Sequence, residues 1–136
     1  IRKMAGTVKT MSAIYESPAW GSASGNKYLN QVIELYTSFG PDEVLSVMMM
    51  VEKQLGRTRT AIRNSDRTID LDVLFYGQLV RSDENLQIPH PRLHLRRFVL
   101  CPLNEIAPAL KHPVLELTVA ELLAVCPDQL QVRRLR

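Results

Sequence analysis

Cysteine, long apolar runs and nucleotide-cradling glycine patterns are scarce or missing in this 136-residue chain. Its two cysteines, Cys101 and Cys126, stand far apart without metal-like spacing and are too few for a disulfide framework, so reduced, partly buried thiols are expected. No apolar stretch approaches the roughly 18 to 20 residues that cross a bilayer, and no basic-then-apolar leader is present, which predicts a cytoplasmic protein without membrane contact. The chain has neither a Gly-x-x-x-x-Gly-Lys-Ser/Thr loop nor a Gly-x-Gly-x-x-Gly fingerprint, so P-loop and dinucleotide readings find little support. No nucleophile-elbow serine accompanies a histidine and an aspartate, which sets hydrolase triads aside. Internal repeats and low-complexity segments are absent as well.

What is present is an ordinary globular balance, 46% hydrophobic and 23% charged, in a length that suits one domain and not two. A net charge of +3 is modest, but the arginines are bunched: Arg57, Arg59, Arg63 and Arg67; Arg92, Arg96 and Arg97; Arg133, Arg134 and Arg136. Arginine grips phosphate oxygens through a planar fork of donors, so anionic ligands are plausible, with a solvated basic face as the plain alternative.

Periodicity and turn residues sketch the elements. Thr7 to Glu16 is rich in Thr, Val, Ile and Tyr and predicts a strand; Pro18 to Asn26 is a loop with Trp20 at its centre; Lys27 to Phe39 predicts a second strand. Gly40-Pro41 followed by Asp42 and Glu43 opens a helix whose stripe is Val44, Met48, Val51 and Leu55, with Gly56 as its expected stop. Helical spacing spreads Met48, Met49 and Met50 around that cylinder, which favours packing over metal binding. After an arginine-rich loop from Arg57 to Arg67, the segment through Tyr76 predicts a strand closed by Gly77, with Leu79-Val80 returning as a short pairing segment. The prolines of Ile88-Pro-His-Pro-Arg92 demand an ordered loop. Arg97 to Ile106 and Thr118 to Val125 predict short helices, the second capped by Thr118 with Glu121 three positions on, and Gln131 to Arg136 reads as either an edge strand or a tail.

Asp70 and Asp72 lie two apart on the expected strand, so both carboxylates face one way, with Leu74, while Ile69, Leu71, Val73 and Phe75 face the other. Two adjacent hard oxygen donors suit Mg²⁺, which commonly takes one or two carboxylates and completes its shell with water and substrate phosphates. The pair alone is also compatible with an ordinary polar strand face. Arg67 just before it, and His90 and Arg92 in the proline loop about 20 residues after it, add the charge that phosphoryl transfer requires. His90 has no partner at ligand spacing and reads as a hydrogen-bonding group for phosphate, or as a structural histidine.

Leu55-Gly-Arg-Thr-Arg59, Arg67-Thr-Ile-Asp-Leu-Asp-Val-Leu-Phe-Tyr-Gly77, Ile88-Pro-His-Pro-Arg92 and Arg96-Arg-Phe-Val-Leu-Cys-Pro-Leu-Asn-Glu-Ile-Ala-Pro108, in this order, closely resemble the 6-hydroxymethyl-7,8-dihydropterin pyrophosphokinases of folate biosynthesis. Weaker similarity extends to Tyr15-Glu-Ser-Pro-Ala-Trp-Gly21 and Tyr28-Leu-Asn30. The resemblance implies an α+β ferredoxin-like sandwich with an antiparallel sheet, and transfer of pyrophosphate from ATP to the pterin hydroxymethyl oxygen with release of AMP. It implies that Asp70 and Asp72 hold two Mg²⁺ ions, that Arg57 and Arg67 act in a catalytic loop, and that Arg59, Arg63, His90, Arg92 and Arg96 bind ATP. Pro18, Trp20, Tyr28, Asn30 and Phe98 would surround the pterin. The implied partners are small molecules, with no nucleic acid, and the implied assembly is a monomer or weak dimer.

Two departures stand out. Asn64-Ser65-Asp66 occupies the place where many relatives carry Trp-Gly-Pro, so an aromatic lid from this loop is not implied. The family also begins with a strand ending in Gly-Ser-Asn and a helix, and this chain has neither. Residues 1–136 are therefore expected to be one N-terminally incomplete domain, with about 25 to 30 residues preceding Ile1 and with impaired activity without them. Other readings are a different Mg²⁺-dependent nucleotidyl or phosphoryl transferase, and a basic ferredoxin-like nucleic-acid-binding module. The second lacks an aromatic-bearing RNP1 pattern.

Overall fold

Two stretches that read as single strands each break once, at the same level. A computed structural model describes residues 6–18, 27–59 and 70–135. The first stretch divides into β1 (Thr7–Met11) and β2 (Tyr15–Pro18), the second into β3 (Lys27–Asn30) and β4 (Ile33–Tyr36). Ser12 accounts for the division. Its buried hydroxyl accepts the Val32 N–H at 3.0 Å and donates to the Ala13 carbonyl at 2.7 Å, its own N–H reaches the Val32 carbonyl at 2.9 Å, and the Gln31 amide donates to its carbonyl at 2.7 Å. A side chain that bonds nearby backbone in this way competes with the continuing ladder.

The halves then pair separately. β1 runs antiparallel to β4, with Thr7 opposite Tyr36 and Met11 opposite Ile33 and a register shift between Val8 and Thr10. β2 runs antiparallel to β3, with Tyr15 opposite Asn30 and Ser17 opposite Tyr28. Its other edge takes β7 (Arg133–Arg134), so these two arginines form an edge strand. A two-residue hairpin, β5 (Arg81–Ser82) with β6 (Gln87–Ile88), replaces the return expected at Leu79-Val80. Every described ladder is antiparallel, as the α+β class requires.

The segment 70–76 corrects the sequence expectation most directly. Its described residues join no ladder. A strand needs a neighbour whose backbone groups match its own. Here the donors and acceptors are met one at a time: Glu52 Oε2 accepts the Leu71 N–H at 2.5 Å, and the Leu74 carbonyl accepts the His90 N–H at 2.9 Å. Gly77 ends the segment with a φ of 56°, a left-handed conformation that a side chain would strain.

The first helix, α1 (Pro41–Arg59), starts as expected, with the Gly40 N–H bonded to Glu43 Oε1 at 3.0 Å. Met48 is 8% exposed and its neighbour Met49 60%, so the methionine run is one core residue and its solvent flank. The helix passes through Gly56 instead of stopping there. Glycine ends a helix when it takes the left-handed conformation; inside one it only costs about 1 kcal/mol, which the roughly four turns before it can offset.

The core lies between the two C-terminal helices, α2 (Arg97–Ile106) and α3 (Val119–Ala124), and a 3-10 turn at Leu93–Leu95. Leu93, Leu100, Leu103, Val119, Leu122 and Cys126 form its buried cluster, with Leu74 and Phe75 packed on its flank. Cys126 is buried and Cys101 half-buried, both as free thiols, and burial pushes the Cys101 thiol up. Among the described residues no helix is long and apolar enough to cross a membrane.

Two caps fix the helix starts. Asp128 Oδ2 accepts the Arg97 N–H at 2.9 Å; Thr118 Oγ1 accepts the Glu121 N–H at 3.2 Å while Glu121 Oε1 accepts the Thr118 N–H at 2.8 Å. Backbone bonding holds the Glu121 carboxyl below the usual range. Thr118→Ala removes one arm of this box, and urea unfolding should register a loss of about 1 kcal/mol; an unchanged midpoint would show that the core alone sets α3.

Candidate active site

The phosphate side of the expected site is assembled by two segments, 70–76 and 88–96. Asp70 and Asp72 are exposed while Leu71 and Val73 are half-buried, so the alternation read from the sequence survives over these four residues without a ladder; it fails at Leu74, which packs on the core with Phe75 instead of facing out with the aspartates. Neither carboxylate takes a hydrogen bond or ion pair from another described residue. Glu52 secures the segment from α1 at Leu71, and the Tyr76 hydroxyl donates to the Phe39 carbonyl just before that helix.

His90 reaches the segment through its backbone bond to Leu74. Its Nδ1 accepts the Arg92 N–H at 3.2 Å, which leaves Nε2 to carry the proton of the neutral ring. Burial pushes the His90 imidazole below its ordinary value; the Asp72 carboxylate opposes this, and the Arg96 and Arg92 guanidiniums reinforce it. Asp72, Arg92 and Arg96 thus each lie within charge reach of the His90 ring. The Leu74–His90 backbone bond joins the segment carrying Asp72 to the turn flanked by Arg92 and Arg96.

Arg92 and Arg96 form no ion pair with a described residue. Arg81 shows what a structural arginine looks like here. It grips Asp42 with both Nη atoms at 2.9 and 2.7 Å and Asp83 with Nε at 2.6 Å, tying the β5–β6 hairpin to the first turn of α1. Each nitrogen of its fork is used, whereas the arginines flanking the 3-10 turn spend theirs on no described carboxylate. Arg96 also lies over the Phe98 ring, 5.7 Å from its centroid, which links the phosphate face to the first turn of α2.

The residues expected around a pterin are spread over β2, β3 and α2. Tyr28 and Asn30 alternate on β3 and so share a face, opposite Ser17 and Tyr15; Pro18 ends β2 and is exposed. α2, with Phe98 in its first turn, packs beside β2 and β3. Glu105 at its far end accepts the Tyr15 hydroxyl at 2.9 Å and the Ala13 N–H at 3.1 Å, and the backbone bond from Ala13 holds its carboxyl below the usual range. Trp20, Arg63 and Arg67 lie outside the described residues. Arg57 and Arg59 belong to the last turn of α1 and not to a loop, and their side chains lie outside the described residues.

Sequence reading missed Glu52 and Glu105. Each acts on backbone far along the chain, 19 and 92 positions away, where no local signal exists. For a metal, the donor set is Asp70 and Asp72; among the described residues no group of three or more histidine, cysteine or acidic side chains gathers to close a protein cage. Two exposed, uncommitted carboxylates fit Mg²⁺, which retains waters and takes its remaining oxygens from substrate phosphate.

The 7,8-dihydro-6-hydroxymethylpterin-pyrophosphokinase (HPPK) family profile matches residues 1–108. The chain is 42% identical over 100 residues to the 2-amino-4-hydroxy-6-hydroxymethyldihydropteridine pyrophosphokinase of Bacillus subtilis, covering 74% of this chain and 59% of that protein. It is 38% identical over 107 residues to the protein of the same name in Aquifex aeolicus, covering 79% and 66%. The Folic acid synthesis protein fol1 of Pneumocystis carinii matches at 40% over 109 residues, 80% of this chain but 15% of that much longer protein. The chain therefore spans less than two thirds of each of these relatives.

Proposed function

The chain belongs to the 7,8-dihydro-6-hydroxymethylpterin-pyrophosphokinase family, and from that premise we propose that it transfers the terminal pyrophosphoryl group of ATP to the hydroxymethyl oxygen of 6-hydroxymethyl-7,8-dihydropterin, with release of AMP. The observation that carries this reading is the backbone bond from His90 to Leu74 at 2.9 Å, which joins the segment of Asp70 and Asp72 to the turn that carries His90, Arg92 and Arg96.

In the reaction, the hydroxymethyl oxygen bonds to the β-phosphorus of ATP and the bond from that phosphorus to the bridging oxygen of AMP breaks, while the hydroxyl proton leaves to solvent. Asp70 and Asp72 would hold Mg²⁺, two ions in this reading, which supplies charge neutralisation along the triphosphate. Arg92 and Arg96 bind phosphate oxygens, and His90 donates from Nε2 as a neutral ring, orienting without adding charge. Arg57, Arg59, Arg63 and Arg67 supply further cations to the transferred group. Pro18, Trp20, Tyr28, Asn30 and Phe98 form the pterin side, where Asn30 reads the heterocycle edge and the aromatic rings cover its face. The supporting architecture in this reading is a single ferredoxin-like domain, cytoplasmic and a monomer or weak dimer.

The test is product analysis. Full-length protein given ATP, Mg²⁺ and the pterin should form AMP in equal amount to the pterin consumed. Release of ADP or phosphate alone, or AMP formation independent of the pterin, would overturn the reading.

A further inference from the structure

Behind the phosphate face, outside the 1–108 span of the family match, lies a histidine that the chemistry above does not use. His112 is 5% exposed. Its Nδ1 accepts two backbone donors, the Val114 N–H at 3.1 Å and the Leu115 N–H at 3.0 Å, so the turn after it fixes both the ring orientation and the tautomer. A proton on Nδ1 would break both bonds. Burial, and then the neighbouring His94, hold the imidazole below its ordinary value, which keeps the ring neutral.

The other side of this ring meets both segments of the site. Phe75, three residues after Asp72, meets it edge-on at 5.7 Å and 79°; His94, between Arg92 and Arg96, meets it edge-on at 6.5 Å and 77°. His94 Nδ1 is buried without a hydrogen-bond partner among the described residues, so ring contact and packing have to hold that side chain in place. A second tie runs beside the first, from Gln78 Nε2 to the Lys111 carbonyl at 3.2 Å.

We infer that His112 is a positioning residue: its turn-locked ring spaces Phe75 from His94 and so holds the aspartate segment in register with the arginine-bearing turn. This rests on the pyrophosphoryl-transfer reading, since register matters only if both segments act on one triphosphate. Misplacing reacting groups by about 1 Å can lower a rate by up to roughly 10²-fold.

His112→Asn separates positioning from simple support of the turn, because the asparagine Oδ1 can accept the same two backbone donors while the ring is gone. We expect kcat to fall about tenfold with the KM for the pterin unchanged, in protein whose circular dichroism matches the parent. Phe75→Leu removes the contact from the other side, and the double variant should be no slower than the worse single one, the coupling expected of touching residues. Parental kcat in His112→Asn, or fully additive losses, would overturn the inference. A parent protein with no pyrophosphoryl transfer defeats the functional reading instead, and the inference is then decided by amide NMR shifts. His112→Asn should move the amides of 70–76 and 90–96 and leave those of 27–36 in place; unchanged amides in both site segments overturn it.

Discussion

Asp72→Ala should lower AMP formation by roughly 10³-fold while leaving the urea midpoint close to that of the parent. The rate estimate is the upper end of what removing one preorganised electrostatic group does to a transition state, about 4 kcal/mol. The stability estimate comes from the side chain's position. Asp72 is exposed and makes no hydrogen bond or ion pair with a described residue, and substitutions at such positions usually stay within about 0.5 kcal/mol. Its carboxylate does act on the His90 ring, so alanine removes that anionic influence without disturbing the backbone that carries it. Asp72→Asn keeps shape and one oxygen donor and should lose less. A folded Asp72→Ala protein that forms AMP at nearly the parental rate would remove this residue from the catalytic set. A large stability loss would show instead that the carboxylate has a structural partner.

How much of this could be read in advance depended on how far along the chain each cause lay. The α2 helix and the Thr118–Glu121 capping box are caused by residues three or four positions apart, and the sequence expectation coincides with their observed bounds. The division of the N-terminal strands is caused by Ser12 meeting Val32, and neither residue signals the other. Residues 70–73 kept their alternation, which is local, but Leu74 turns to the core beside Phe75, and the ladder is missing because it depends on a neighbour that no window of sequence supplies. The candidate site divides in the same way. Asp70, Asp72, His90, Arg92 and Arg96 are conspicuous because their residue types and spacing are those that the proposed chemistry calls for. Glu52 and His112 are not, because each works by touching a segment 19 or 37 positions away. The helical placement of Arg57 was hidden for a third reason, since Gly56 is a helix stop only in a conformation that the sequence does not fix.

Leu93→Ala should show the opposite signature, a large stability loss with the chemistry of the folded fraction largely kept. Leu93 is fully buried and packs in one cluster with Leu100, Leu103, Val119, Leu122 and Cys126. Truncating such a leucine removes its transfer free energy and leaves a cavity that collapses only in part, about 2 to 5 kcal/mol in sum. For a domain of this length that shift lowers Tm by on the order of 10 °C. The turn itself is held by backbone: the Leu95 N–H bonds the Arg92 carbonyl at 3.0 Å and the Arg96 N–H bonds the Leu93 carbonyl at 3.3 Å, and neither bond uses the leucine side chain. Arg92 and Arg96 should therefore stay near His90 in molecules that remain folded, and kcat per folded molecule, measured well below Tm, should change by less than about threefold, a small fraction of the stability effect. A loss below about 1 kcal/mol would mean that the turn does not pack as tightly as its zero exposure implies. A collapse of kcat in fully folded protein would mean that the core sets the phosphate face directly, and the division between the buried side of this turn and its charged side would have to be abandoned.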